Sequence, residues 1–376
     1  MKIVFASNYF NHHQKAFCNA LYKQLGDDFA FVATTVMREE RRAMGYADID
    51  VPGYVIDLNG ANADCIDRAK RLIIDADVII SGSVPTVMLR ERILSGKLTF
   101  RYTERPFKKS PSFLNWCSFG MKSIIKYFPY RNVYLLCASA FAASDYGSCG
   151  LFQNSAYKWG YFPETSRYNI RGIQSKKKRA QILWCGRFLH WKHPDDAIKV
   201  AYRLKTEGYD FELDFIGSGE KENELKGMAA DMGLQDCVRF LGTMNPERVR
   251  NHMETAGIYL FTSDRNEGWG AVLNESMNSG CAVVASDAIG SVPYLVKDGQ
   301  NGFTYCSGDL EMMYEKVKYL LDHPIEQQRL GIAAYETILN EWNAEVAAER
   351  FLNLAQQILE GNMHPNLYES GPCSRA

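Results

Sequence analysis

The sequence predicts an α/β protein built as two layered halves, each a parallel sheet flanked by helices. Three observations carry that expectation. Short apolar runs of strand length alternate with amphipathic stretches of helical period, an order that implies parallel pairing. The alternation starts again after a polar, basic segment near the middle of the chain. At 376 residues, the chain is also about twice the common domain size.

Taken in order, "KIVFAS" (2–7) is a strand and "HQKAFCNALYKQL" (13–25) has helical period. "FAFVAT" (29–34), "GYVIDL" (53–58) and "DVIISG" (77–82) are strands, with a helical run over 63–74. "KLTFRY" (97–102) and "VYLLCAS" (133–139) enclose a further helical stretch. "GIQSKKKR" (172–179) has little to bury and reads as a linker or exposed turn. Beyond it, "AQILWCG" (180–186) is a strand. "PDDAIKVAYRLKTEG" (194–208) is a helix with Pro194 near its start and Gly208 past its end. "FELDFIG" (211–217), "VRFLG" (238–242), "GIYLFTS" (257–263) and "CAVVASD" (281–287) are strands, each followed by a helical stretch. After Phe303 the chain turns mostly helical, and residues 361–376 carry no pattern and read as a disordered tail. "GSVP" follows a strand at both 82–85 and 290–293, which is shared local geometry rather than duplication.

Composition narrows the function classes. A net charge of −1 argues against a dedicated nucleic-acid binder. The ten cysteines form no C-x-x-C pair, and several, such as Cys137 and Cys185, sit in apolar runs. They read as buried reduced thiols of a cytoplasmic protein, not as a zinc or redox site. "MKIVFAS" is too short for a signal peptide. No stretch approaches the roughly 18 apolar residues of a membrane span. The expected protein is soluble, or at most peripheral to a membrane.

The chemistry concentrates in "EGWGAVLNESMNSGCAVVAS" (267–286), where Glu267 and Glu275 stand eight residues apart around two glycines. In an open α/β sheet, ligands bind beyond the carboxyl ends of the strands, and Glu267 falls in such a loop. Gly268 and Gly270 let backbone approach a ligand, and the helix that follows offers N–H groups to an anion. Carboxylates accept hydrogen bonds from sugar hydroxyls, so acids at two heights suit two polyols flanking a diphosphate. Alone, the pair reads more readily as a solvated loop acid and a helix-dipole partner, since such spacings arise often by chance. Three further strand-end signals join it: "CGRFLHWKH" (185–193) with Arg187 and Lys192, "DFIGSGE" (214–220) and "RFLGTMN" (239–245). Two fixed cations at a strand end could neutralise a departing diphosphate.

On these pieces, residues 180–305 resemble the donor-binding half of GT-B glycosyltransferases of the retaining family 4. "GRFLHWK", "IGSGE", "FLGTM", "EGWGAVLNE", "GCAVVASDAIGSVPYLV" and "DGQNGF" stand in the family's order. The resemblance implies two Rossmann-like domains facing across a cleft, 1–165 for the acceptor and 166–340 for the donor. It also implies a helix at 341–360 crossing back to the first domain. It implies Glu267 on the donor sugar, Glu275 on the ribose, and Arg187 and Lys192 on the diphosphate. Backbone N–H groups of Gly268, Trp269, Gly270, Ala271, Val272 and Leu273 would contact sugar and phosphate. Gly217 and Thr243 would frame the base. It implies no metal and no cofactor, only a nucleotide-sugar substrate, with UDP the family's commonest carrier. A hexose would pass with retention to a hydroxyl of a glycan or lipid-linked saccharide in cell-surface polysaccharide synthesis. A sugar-nucleotide epimerase, a sucrose- or trehalose-type synthase and an inactive sugar-nucleotide-binding scaffold are the rival readings. A dinucleotide oxidoreductase is disfavoured, because no G-x-G-x-x-G follows the first strand.

The first half departs from the family pattern. Its first loop, "NYFNHHQK" (8–15), lacks the usual glycine pair, so Asn11, His12 and His13 become candidates for acceptor or phosphate contact. A helix cap at Asn11 followed by exposed histidines is the plainer alternative. Glu104 is a candidate for placing the acceptor hydroxyl, against an ion pair with Arg101 or Arg105. Tyr294 stands where many members carry an acid. Segment 101–131 holds seven Lys/Arg against one acid, together with eight aromatics. That mixture suits peripheral contact with an anionic membrane face, unless the aromatics line the domain core.

Overall fold

The computed structural model describes residues 1–37, 50–108, 112–127 and 132–376. The chain divides into two compact units, Met1–Glu164 with Asn343–Ala376, and Thr165–Trp342. The first contains β1 (Ile3–Ser7), α1 (His12–Leu25), β2 (Phe29–Ala33), β3 (Val55–Asp57), α2 (Ala63–Asp75) and β4 (Val78–Ser81). These are followed by α3 (Thr86–Ser95), β5 (Thr99–Thr103), α4 (Phe113–Tyr127), β6 (Val133–Cys137), α5 (Ala142–Gly147) and β7 (Ala156–Lys158). Its seven strands are all parallel, in the order β3-β2-β1-β4-β5-β6-β7. Every residue of β1, β4 and β6 is buried, the near-continuous apolar pattern of strands covered on both faces.

The second unit runs α6 (Ile170–Lys176), β8 (Lys178–Cys185), α7 (Pro194–Thr206), β9 (Glu212–Ile216), α8 (Glu222–Asp231), β10 (Val238–Phe240) and α9 (Pro246–Thr255). It continues with β11 (Ala256–Phe261), α10 (Val272–Asn278), β12 (Ala282–Ser286), α11 (Val292–Leu295), β13 (Phe303–Tyr305), α12 (Leu310–Asp322) and α13 (Pro324–Asn340). Six parallel strands stand in the order β10-β9-β8-β11-β12-β13. Asn245 and Asp309 cap α9 and α12 by accepting from the backbone N–H three residues on, as polar residues before an apolar helical run do. The chain then returns to the first unit as α14 (Ala344–Leu359). There Phe351 lies 5.0 Å from Phe100 and 6.3 Å from Phe17, ring to ring. No described helix is long and apolar enough to cross a membrane.

Two expectations need correction. Segment 172–179 is not a linker, because α6 and the start of β8 occupy it. Two of its polar residues are buried with partners: Gln174 Nε2 donates to the Gly280 carbonyl at 2.8 Å and Lys177 Nζ to the Met253 carbonyl at 2.6 Å. Residues 361–376 are not a disordered tail. Cys373 N donates to the Lys158 carbonyl, Lys158 N to the Ser374 carbonyl and Ala376 N to the Ala156 carbonyl, so the tail pairs with the β7 edge. Backbone pairing orders this segment, and it leaves no hydrophobic period in the sequence.

Candidate active site

In the second sheet the strand order runs one way from β8 through β9 and β10, and the other way through β11, β12 and β13. The reversal between β8 and β11 opens a crevice at their carboxyl ends, where open α/β sheets bind ligands. The loops leaving those two strands are 186–193 and 262–271, the segments that carry Arg187, Lys192 and Glu267.

Backbone bonds stack the neighbouring strand ends. Gly186 N donates to the Ile216 carbonyl at 3.0 Å, Gly217 N to the Gly242 carbonyl at 2.9 Å, and Phe188 N to the Ser218 carbonyl at 2.9 Å. Gly217 has φ +136°, and a Cβ there would stand 1.9 Å from the Gly186 carbonyl oxygen. No other residue fits that turn. Thr243 is exposed just beyond it.

The two loops are joined through Thr262. Its hydroxyl donates to the Lys192 carbonyl at 2.6 Å and accepts from Trp184 Nε1 at 2.8 Å. Asp264 N donates to the Trp191 carbonyl at 2.9 Å, and the His193 Nε2–Asp264 Oδ2 contact is 3.2 Å. This frame brings Lys192 Nζ onto Glu267 Oε2 as a largely buried ion pair, and Ser263 Oγ donates to the same oxygen at 3.1 Å. Lys192 Nζ also lies 4.7 Å from the centre of the Trp191 ring. The Arg187 guanidinium is exposed and makes no hydrogen bond or ion pair among the described residues.

Glu275 sits in the first turns of α10, half-buried, and its carboxylate has no hydrogen-bond partner among the described residues. Burial pushes its pKa above the ordinary carboxylate value, and the charge of Arg250 only partly opposes that. The Cys185 thiol, at the end of β8, is pushed up to about 12 by burial, with Glu275 adding to the rise and Lys192 opposing it. Glu275 and Lys192 are thus both within electrostatic reach of the β8 end. Gly270, at φ +85°, lies so close to Phe261 that a Cβ would meet its ring at 2.3 Å. The Trp269 side chain is fully buried, its Nε1 donating to Asn274 Oδ1 at 2.9 Å, so only its backbone can meet a ligand. Leu273 N already donates to the Gly270 carbonyl at 3.0 Å, which leaves the backbone N–H groups of Gly268, Trp269, Gly270, Ala271 and Val272 as the better-placed donors. Tyr294, the position that departs from the family pattern, stacks on Trp342 with ring centroids 5.6 Å apart.

In the first unit, Asn11 caps α1, its side-chain oxygen accepting from His13 N at 2.9 Å. The His12 and His13 rings lie 3.9 Å apart, and His13 stacks on Tyr161 at 5.5 Å. The Tyr161 hydroxyl donates to Glu104 Oε1 at 2.7 Å, and Lys108 pairs with Glu104 at 3.2 Å. Glu104 therefore pairs with neither expected arginine. Arg105 is buried against Asp145 at 3.3 Å, and Arg101 donates to the Gly82 carbonyl. Tyr161 thus gathers His13 from the first turn of α1 and Glu104 from the loop after β5.

The sequence reading missed Ser263, Thr262, His193 and Asp264. "FTSD" (261–264) at a strand end was the available signal, but small hydroxyls there are common. Among the described residues, no three His, Cys, Asp or Glu side chains group as a metal ion would need.

Residues 166–337 match the family described as glycosyl transferases group 1. The amylovoran biosynthesis glycosyltransferase AmsK of Erwinia amylovora is 26% identical over 200 residues, 52% of this chain and 49% of that protein. A GDP-mannose-dependent monoacylated alpha-(1-6)-phosphatidylinositol monomannoside mannosyltransferase of Corynebacterium glutamicum is 28% identical over 182 residues, 46% of this chain and 47% of that one. The matches span about half the length of these curated relatives. Among solved structures, HepE of Anabaena in complex with UDP aligns with a TM-score of 0.68 at 16% identity, covering 96% of this chain and 100% of the other. A glycosyltransferase of Rickettsia africae aligns with a TM-score of 0.67 at 15% identity, over 96% and 99%.

Proposed function

We propose, from the match of residues 166–337 to glycosyl transferases group 1 in a chain with the GT-B fold, that this protein moves a hexose from a nucleotide diphosphate sugar to a hydroxyl of a glycan or lipid-linked saccharide. It would do so as a cytoplasmic, metal-independent, retaining enzyme of polysaccharide or glycolipid synthesis. The observation that carries the reading is the Lys192–Glu267 pair at the strand-order reversal, with Arg187 on the same loop and Glu275 on the next helix making no hydrogen bond among the described residues. A sugar diphosphate requires that combination: cations for the pyrophosphate and carboxylates for the hydroxyls on either side.

In the transfer, the bond between the anomeric carbon and the diphosphate oxygen breaks. The acceptor oxygen bonds the same carbon on the same face, and the acceptor's proton leaves with the diphosphate. Arg187 and Lys192 stabilise the charge that grows on the departing phosphate. Glu267, held by Ser263 and Lys192, accepts from hydroxyls of the donor sugar. Glu275 accepts from the ribose. Gly268, Trp269, Gly270, Ala271 and Val272 offer backbone N–H groups, and the turns at Gly217 and Thr243 border the base. In the first unit, His12, His13 and Glu104 take the acceptor. UDP is favoured by the HepE complex, while the corynebacterial relative is named for GDP-mannose, so both bases belong in the test.

The test is a thermal-shift screen of the full chain with UDP, GDP and their hexoses. A ligand at 100 times its dissociation constant stabilises by about 2.7 kcal/mol. Lys192→Ala and Glu267→Ala are expected to stay folded and lose transfer. Normal turnover by either folded variant would overturn the site assignment.

A further inference from the structure

Helix α4 (Phe113–Tyr127) is turned inside out for a helix that faces only water. Its buried residues are Gly120, Ser123 and Tyr127, whereas Phe113, Leu114, Met121, Ile124 and Ile125 are exposed. Leu114 is 77% exposed and Ile125 63%. Leu114, Met121 and Ile125 are spaced by seven and four residues, so they share one side of the helix. The neighbouring α3 extends this surface. Its Arg90 donates to the Ile125 carbonyl at 3.1 Å, and Val87 and Leu94 stand exposed on either side of Arg90. Single exposed apolar side chains are ordinary, but a clustered face marks a contact.

The charge on α4 has one sign, while α3 adds Arg90 and the exposed Glu91. Helix α4 contains Lys122 and Lys126 and no Asp or Glu. The Lys126 ammonium is held down to about 8 by burial and then by Arg101, so an anion beside it would restore its full charge. The basic segment read from the sequence is partly used elsewhere. Arg105 pairs with Asp145, Lys108 with Glu104, and Arg101 with the Gly82 carbonyl. Lys109 and Arg131 lie outside the described residues. What remains is narrower than that segment: five apolar side chains, two lysines and no carboxylate on one helix.

We propose that this face of α4 docks on an anionic lipid surface, its apolar side chains entering the acyl boundary while Lys122 and Lys126 meet headgroup phosphates. Interfacial helices have this composition, with a large apolar side and lysines at its margin. A second copy of the chain is a poorer occupant. A symmetric contact through α4 would set each lysine pair against its own copy, with no acid on the helix to offset it. The inference rests on this face alone and stands whether or not the transferase reading does.

The test sediments the full chain, without any sugar nucleotide, with phosphatidylcholine vesicles and with vesicles that also contain phosphatidylglycerol. Binding is expected to the anionic vesicles and to fall with salt. Lys122→Gln and Lys126→Gln should each weaken it about fivefold. Leu114→Ser combined with Ile125→Ser should abolish it while the melting temperature and the nucleotide-induced shift stay unchanged. The proposal is overturned by absent vesicle binding or by equal binding of the double variant. It is likewise overturned by a concentration-dependent dimer that the double variant disrupts, which would assign the face to a second copy.

Discussion

Glu275 is a carboxylate that costs its own protein stability. Burial raises its pKa above the ordinary 4.5, and no described group donates a hydrogen bond to it. The folded state therefore binds more protons than the unfolded state in the window just above pH 4.5, so stability falls as pH rises through it. Glu275→Gln removes the charge and keeps the shape. The variant should melt higher than the parent at neutral pH, the gain shrinking as pH drops toward 4.5, and should lose most of its response to UDP. Melting curves across pH, with and without UDP, measure both arms; a variant no more stable that still binds UDP as the parent does would remove Glu275 from the site. At this scale the sequence was informative where a side chain marks a strand end, as Lys192 and Glu267 do. It was silent on Ser263 and Thr262, whose importance lies in contacts to residues brought close only by folding, such as Lys192, some 70 positions earlier.

The loops that leave β8 and β11 act as one element because Thr262 bonds to both. Thr262→Val keeps the volume but leaves the Trp184 N–H and the Lys192 carbonyl without their partner in a buried setting. Such a loss costs about 1–3 kcal/mol. The expected result is a lower melting temperature and a raised KM for the donor, with kcat changed less, because the loop that carries Lys192 loses its tether. An unchanged KM would mean that Lys192 is positioned by other contacts. The misreading of 172–179 belongs to this scale as well. Composition treats Gln174, Lys177 and Arg179 as residues for solvent, yet Gln174 and Lys177 are buried and spend their donors on the backbone of α9 and the turn at Gly280. Polar residues can line an interior when every donor finds an acceptor, and no periodicity announces that.

For the molecule as a whole, the alternation of strands and helices was enough to expect two parallel-sheet units, since helical crossovers force that pairing. The closing of the first unit by the chain's last segment was not legible. Its sheet ends at β7, an edge whose unpaired backbone groups would otherwise face solvent. Residues 363–376 cover that edge with three backbone bonds, and the Tyr134 and Tyr157 hydroxyls donate to the Met363 and Pro365 carbonyls. At roughly 1 kcal/mol net for each hydrogen bond, removing the segment after Gly361 should cost about 3 kcal/mol once the freedom regained by the chain is counted. The loss belongs to the first unit. A truncated chain is therefore expected to melt earlier and to aggregate with rising concentration through the bared β7 edge, while the shift produced by UDP on the second unit survives. Scanning calorimetry of the full and truncated chains, each with and without UDP, separates the two effects. If both chains melt alike, the tail contributes no stability and the β7 edge needs no cover.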